Sequence, residues 1–218
     1  MRRLTPSTTS CSKQSGLDAV YAENEKRARE AAERRLDMRE AVIERKLSRM
    51  LPERYRFASV TDAKCGEWLS GYMVGERRNL LMVGDVGTTK TTQAYALLKE
   101  LMRAGINCTF DTAGGHLRHI KRAYGGEFTE EEVMEQLESV PVLFIDDLGK
   151  ESPTEWAVEH LFDIVDERVA RMKPVVVTSN LHATGLRERY GEAGKALVSR
   201  LAGDAVVATF DGMDRRLS

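Results

Sequence analysis

Leu80-Leu81-Met82-Val83-Gly84-Asp85-Val86-Gly87-Thr88-Thr89-Lys90-Thr91-Thr92 decides the fold of this 218-residue chain. It reads as an apolar strand, a glycine-punctuated loop and the start of a helix. In that setting successive backbone N–H groups converge at a helix N-terminus, whose dipole favours anions. The loop fits G-x-x-x-x-G-K-[ST] everywhere except Thr89, which stands where the pattern has its second glycine. Gly84 and Gly87 supply the tight turns. Lys90 is expected to reach the β/γ-phosphates, and the Thr91 hydroxyl to hold magnesium. Thr89 is the departure, because a β-branched residue resists positive φ.

Outward from the loop, strands and helices alternate. Lys90–Ala104 is a predicted helix with Ala94, Leu97, Leu98 and Leu101 at helical spacing, stopped by Gly105. Ile106, Cys108 and Phe110 alternate as a strand does, and Gly115–Tyr124 is a helical patch. Thr129 to Glu132 is a capping box. Val142–Ile145 and Val175–Val177 read as buried strands, and Ala205–Phe210 as a last one. Between them Ser152-Pro153-Thr154-Glu155 is a second predicted capping box, opening a helix to about Met172. Near-continuous apolar strands between helices imply an α/β fold, a parallel five-stranded sheet flanked by helices.

The domain division is 1–16, 17–51 and 52–218. Residues 1–16 are rich in Ser and Thr and are expected to be a disordered tail. Residues 17–50 read as one long charged helix ended by Pro52, with Leu36, Ile43, Leu47 and Met50 as one apolar stripe. That helix is either a solvated element docking its second half or a partner-binding arm. A net charge of −1 leaves nucleic-acid binding to local surfaces. Three scattered cysteines, Cys11, Cys65 and Cys108, suit a reducing cytoplasm, and no apolar run is long enough for a membrane span.

Chemistry gathers at predicted strand ends. Val142–Ile145 runs into Asp146 and Asp147, and ligands of parallel sheets bind beyond the carboxyl ends of strands. Asp146 is expected in the magnesium shell, and Asp147 to orient or activate a water. Asn180, after Thr178 and Ser179, is placed to bond the γ-phosphate or that water. Arg200 lies in a late helical stretch, where a surface arginine is the plain alternative to one that stabilises phosphoryl charge on a neighbouring subunit. His116, Arg118, His119, Lys121 and Arg122 form a short basic helix beside Tyr124, suited to a nucleic-acid backbone or to solvent.

Together these residues resemble the DnaC/IstB group of AAA+ ATPases, over about residues 52–218. Asp146-Asp147-Leu148-Gly149 resembles the Walker B segment, Thr178-Ser179-Asn180-Leu181 the sensor 1 strand and Ser199-Arg200-Leu201 the arginine-finger box. Pro52-Glu53-Arg54-Tyr55-Arg56 is similar to the entry of the ATPase domain. The resemblance implies a P-loop AAA+ core with the phosphate-loop strand near the centre. It also implies ATP and Mg²⁺ as cofactors, and a homo-oligomer in which Arg200 reaches the next subunit. Arg216, or Arg215 beside it, sits where the group carries sensor 2. The basic helix 116–122 lies where loaders face single-stranded DNA. The implied function is a helicase loader delivering a replicative helicase to single-stranded DNA. Alternatives are a transposition helper ATPase and, because of Thr89, an adaptor with weak turnover. Some similar loaders carry a zinc-binding module ahead of such a charged helix. Here Cys11 is the only cysteine before it, so a four-ligand zinc site cannot form there.

Overall fold

The computed structural model describes residues 9–126 and 128–212. The chain divides into two units, Met1–Lys46 and Leu47–Ser218. The first is helical. Helix α1 spans Thr9–Met50, so it already includes residues 9–16, where a disordered tail was expected; residues 1–8 lie outside the described residues. Arg27 pairs with Glu23 at 3.0 Å and Arg29 with Glu25 at 4.0 Å. Such pairs add only about 0.2–0.5 kcal/mol each, so the run of Ala, Glu and Arg carries most of the helical preference. Leu36, from the expected stripe, is exposed.

The second unit opens with Leu47, the one buried member of that stripe. A 3-10 turn, Glu53–Tyr55, and helix α2, Ala63–Met73, follow. Nothing in the sequence reading anticipated α2. Asp62 caps it by accepting from the Cys65 amide at 2.9 Å.

Strands β1 (Leu80–Gly84), β2 (Cys108–Thr112), β3 (Val142–Leu148), β4 (Val175–Ser179) and β5 (Val206–Phe210) form one sheet in the order β2-β3-β4-β1-β5. Every neighbouring pair is parallel, as expected. The phosphate-loop strand β1 lies between β4 and β5. The helices between them are α3 (Lys90–Arg103), α4 (Ala113–Ala123), α5 (Glu130–Ser139), α6 (Glu155–Ala170) and α7 (Ala183–Ala202). Helix α7 is broken at Gly191, whose φ of 65° and ψ of −147° are not helical.

The capping box at Thr129 and Glu132 forms. The second expected box does not. Thr154 caps α6 by accepting from the Ala157 amide at 3.2 Å, and Pro153 precedes the cap. Starting there puts the Glu155 carboxylate in the first turn, where the helix dipole favours it.

Alternation along the strands sends side chains to two cores. Leu143, Ile145, Val175 and Val177 pack with Leu161, Val165 and Leu197 from α6 and α7. Phe144 faces the other way. It ends a column of stacked rings, Tyr55, Tyr95, Phe110 and Phe144, with successive centroids 4.4, 4.1 and 5.3 Å apart. Two polar side chains tie the sheet together. Asn79 Oδ1 accepts from Val175 N at 2.9 Å while its Nδ2 donates to Leu201 O at 3.1 Å. Arg168 of α6 is wholly buried. Its guanidinium donates to the carbonyls of Leu137 at 2.7 Å, Val140 at 2.9 Å and Pro174 at 2.8 Å, with longer bonds to Glu138 and Pro141. Burial pulls its pKa down to about 10, which leaves it charged at neutral pH.

Candidate nucleotide site

The sheet delivers the site to the carboxyl ends of its strands. Gly84 ends β1 at φ 134°, with the backbone of β5 so close that a Cβ would lie 2.1 Å from Phe210 O. Only glycine fits there. The Asp85 amide donates to that same carbonyl at 3.0 Å, and Gly87 turns the loop at φ 81°. Thr88 Oγ1 closes the turn by donating to Asp85 O at 2.6 Å. Lys90 is buried and folds back into the loop. Its Nζ donates to Gly84 O at 2.9 Å, Asp85 O at 2.5 Å and Thr88 Oγ1 at 3.1 Å. Burial lowers its pKa, against the opposing pull of Asp147 and Asp85.

Thr89 adopts the left-handed conformation, φ 65° and ψ 5°, that the missing glycine would take without cost. The loop thus keeps its shape and the threonine carries the strain. That conformation costs an L-residue about 1–2 kcal/mol, and glycine's extra freedom when unfolded offsets about 0.5–1 kcal/mol of any relief. Thr89→Gly is therefore expected to raise the melting temperature by about 2–3 °C in a calorimetric scan. An unchanged or lower midpoint would mean that the threonine side chain compensates its own strain.

The two carboxylates sit at the end of β3, where pairing with β4 slips between Ile145 and Leu148. Asp147 takes φ 57° there. Asp146 Oδ1 accepts from Thr91 Oγ1 at 3.0 Å and from Thr178 Oγ1 at 2.5 Å. Burial raises the Asp146 pKa and those two hydroxyls oppose the rise. Asp147 pairs with Lys150 at 2.7 Å. A cavity of about 380 Å³ joins these groups; Val86 through Thr92, Asp146, Asp147 and Asn180 line it. Its size and its polar end suit a nucleotide. One carboxylate and one hydroxyl are enough to hold magnesium, which keeps several waters and takes phosphate oxygens as its other ligands. Among the described residues no cluster of three or more His, Cys, Asp or Glu could hold a metal by itself.

Arg200 does not line this cavity; it pairs with Asp166 of α6 at 2.5 Å and is half exposed. Arg216 lies outside the described residues. The basic helix is α4, and it is sorted by burial. His116 points inward, with Nε2 2.8 Å from Phe144 O, and burial lowers its pKa. His116 therefore drops out of the exposed basic set, because α4 uses that face with Leu117 and Ile120 for the core. Arg118, His119, Lys121 and Arg122 are exposed. His119 lies 3.3 Å from Asp111, and Lys121 Nζ sits 4.5 Å above the Trp156 ring.

Four contributors escape the sequence reading. Arg54 and Tyr55 line the cavity from the 3-10 turn, although only their place at the domain entry had been noted. Lys150, just past the Walker B segment, lines the cavity and pairs with Asp147. Thr178 was read as a neutral strand-end residue. Its signal was present: a hydroxyl after three valines, facing the slipped stretch of β3 that carries both carboxylates.

The model of one family, described as IstB-like ATP binding protein, matches residues 3–218. A protein of insertion sequence IS1162 from Pseudomonas fluorescens, named for ATP binding, is 30% identical over 140 residues, 64% of this chain and 55% of that protein. The replicative helicase loader DnaI of Bacillus subtilis is 26% identical over 171 residues, 73% of this chain and 53% of that protein. The chain thus spans about half the length of these curated relatives. Among solved structures, a DnaC helicase loader superposes with a TM-score of 0.60 at 21% identity, over 74% of this chain and 100% of that one. At that identity the likeness speaks to the fold, a P-loop α/β core.

Proposed function

Because the chain belongs to the family of IstB-like ATP-binding proteins, we propose that it is an ATPase that loads a replicative helicase onto single-stranded DNA. One observation carries the nucleotide part. Thr91 Oγ1 and Asp146 Oδ1 meet at 3.0 Å beside the phosphate loop, the hydroxyl–carboxylate pair that magnesium needs next to phosphates. ATP supplies the phosphoryl group whose transfer to water drives the cycle. The loop amides from Gly84 to Thr92 cradle its phosphates, and Lys90 leaves the loop carbonyls to meet them. Thr91 and Asp146 hold Mg²⁺. Asp147 orients the water and receives its proton. Asn180 bonds the γ-phosphate or that water. Arg200 acts on the neighbouring subunit of a homo-oligomer, exchanging Asp166 for phosphoryl charge, and Arg216 serves as sensor 2.

Arg118, His119, Lys121 and Arg122 on α4 meet the DNA backbone, and α1 is the arm that binds the helicase. The loader reading is supported by relatives named as replicative helicase loaders. Among the described residues no helix is long and apolar enough to cross a membrane, and a cytoplasmic setting goes with the proposal. A second reading, a transposition helper, draws on relatives from insertion sequences. The two part on partner. Complex formation with the cognate replicative helicase, followed by light scattering with ATP and single-stranded DNA, is the expected result. No complex with the helicase, together with one to a transposase, favours the helper. The weak-turnover adaptor is tested by Asp147→Asn. An expected fall of about 10²–10⁴-fold in kcat, with ATP binding kept, identifies hydrolysis at this site; no change would mean that turnover is negligible already.

A further inference from the structure

Thr178 is 2% exposed, within a strand whose three preceding residues are valines. Packing alone would accept another valine, which has the same branched shape. The hydroxyl therefore calls for a polar reason, and the structure gives two. As donor it bonds Asp146 Oδ1 at 2.5 Å, and as acceptor it takes the Asp147 amide at 2.9 Å. The second bond compensates a specific loss. Where β3 and β4 slip register, the part-buried Asp147 amide turns aside with φ at 57°, and an amide withdrawn from water without an acceptor is costly. The first bond falls on the same Asp146 oxygen that Thr91 reaches at 3.0 Å. A hydroxyl carries a single proton, so the direction of both Thr178 bonds is set.

We propose that Thr178 is a positioning residue of the nucleotide site: one hydroxyl holds the metal-binding carboxylate of Asp146 and the water-orienting Asp147 in a fixed relation. With Oδ1 held by Thr178, Asp146 Oδ2 is the oxygen this hydroxyl leaves to the cation. With its amide anchored, Asp147 keeps the left-handed turn that sets its carboxylate beside Lys150. The two carboxylates then move together or not at all. The proposal rests on the nucleotide reading above.

The test is equilibrium binding of a fluorescent non-hydrolysable ATP analogue, measured in excess EDTA and in Mg²⁺, with single-turnover ATP hydrolysis alongside. The ratio of the two dissociation constants isolates the metal contribution from the grip of the loop on the nucleotide. In Thr178→Val that ratio is expected to shrink by about tenfold, the worth of one charge-assisted hydrogen bond. Binding in EDTA should stay near wild type and kcat should fall. Thr178→Ser, which keeps the hydroxyl, should restore both. A valine variant with the wild-type Mg²⁺ ratio overturns the proposal, as does a serine variant as impaired as the valine. Should the valine variant fail to show a cooperative melt, Thr178→Ala decides by the same ratio. A wild-type protein that binds no analogue in either condition overturns the nucleotide reading, and the proposal with it.

Discussion

Arg168→Leu is expected to destabilise the 47–218 unit by about 3–5 kcal/mol, a large part of the 5–15 kcal/mol typical of a domain. The guanidinium is the donor that the carbonyls of Leu137, Val140 and Pro174 share, at 2.7–2.9 Å. Leucine fills much of the space and supplies no donor. Those acceptors stay buried, and each unpaired one costs about 1–3 kcal/mol unless water enters. The arrangement already has little slack: Arg168 Nε is a buried nitrogen without an acceptor. Arg168→Lys should fall between the two, because an ammonium offers three donors but not the planar fork that reaches both strand entries. Urea unfolding followed by circular dichroism measures the difference. A loss under about 1 kcal/mol for leucine would mean that water replaces the guanidinium at little cost.

Lys90→Ala carries the largest expected functional effect, a fall of about 10²–10³-fold in hydrolysis and a large loss of ATP affinity. The lysine is buried, yet its charge is met by carbonyl dipoles of its own loop rather than by a paired carboxylate within that loop. That is a poised donor. A phosphate entering the cavity trades neutral acceptors for a charged one, and such bonds are roughly twice as strong. The same contacts brace the loop, so a thermal melt must accompany the assay. A variant that melts like wild type and still binds ATP with unchanged affinity would remove Lys90 from the site.

Much of this arrangement was legible beforehand, for particular reasons. The phosphate loop, β3 with its two carboxylates and β4 are short-range patterns, an apolar run followed by a chemical signature, and they fold where they were read. The parallel sheet followed from β3 and β4, which run apolar without polar alternation. What escaped depends on contacts between distant segments. Helix α2 is short, and its buried stripe of Cys65, Trp68 and Tyr72, at spacings of three and four, is diluted by the poor helix formers Gly66 and Gly71; Trp68 is held by a bond from Nε1 to Arg78 O at 2.7 Å. The inward turn of His116 is set by which face of α4 meets β3, and the basic density of that segment hides the choice. Thr178 acts across a register slip that no single strand reveals. At Thr89 local preference was read correctly and overruled: the loop requires left-handed backbone there, and the threonine complies.

The placing of Lys121 4.5 Å above the Trp156 ring has an optical consequence. The chain has two tryptophans, and the other, Trp68, is buried. Emission from Trp156 therefore depends on an ammonium at its face, while Trp68 contributes a nearly constant background. A polyanion that draws Lys121 away changes the first signal and leaves the second. With Trp68→Phe removing the background, the exposed face of α4 becomes its own unlabelled fluorescent sensor, able to time the arrival of a nucleic acid within a single mixing experiment.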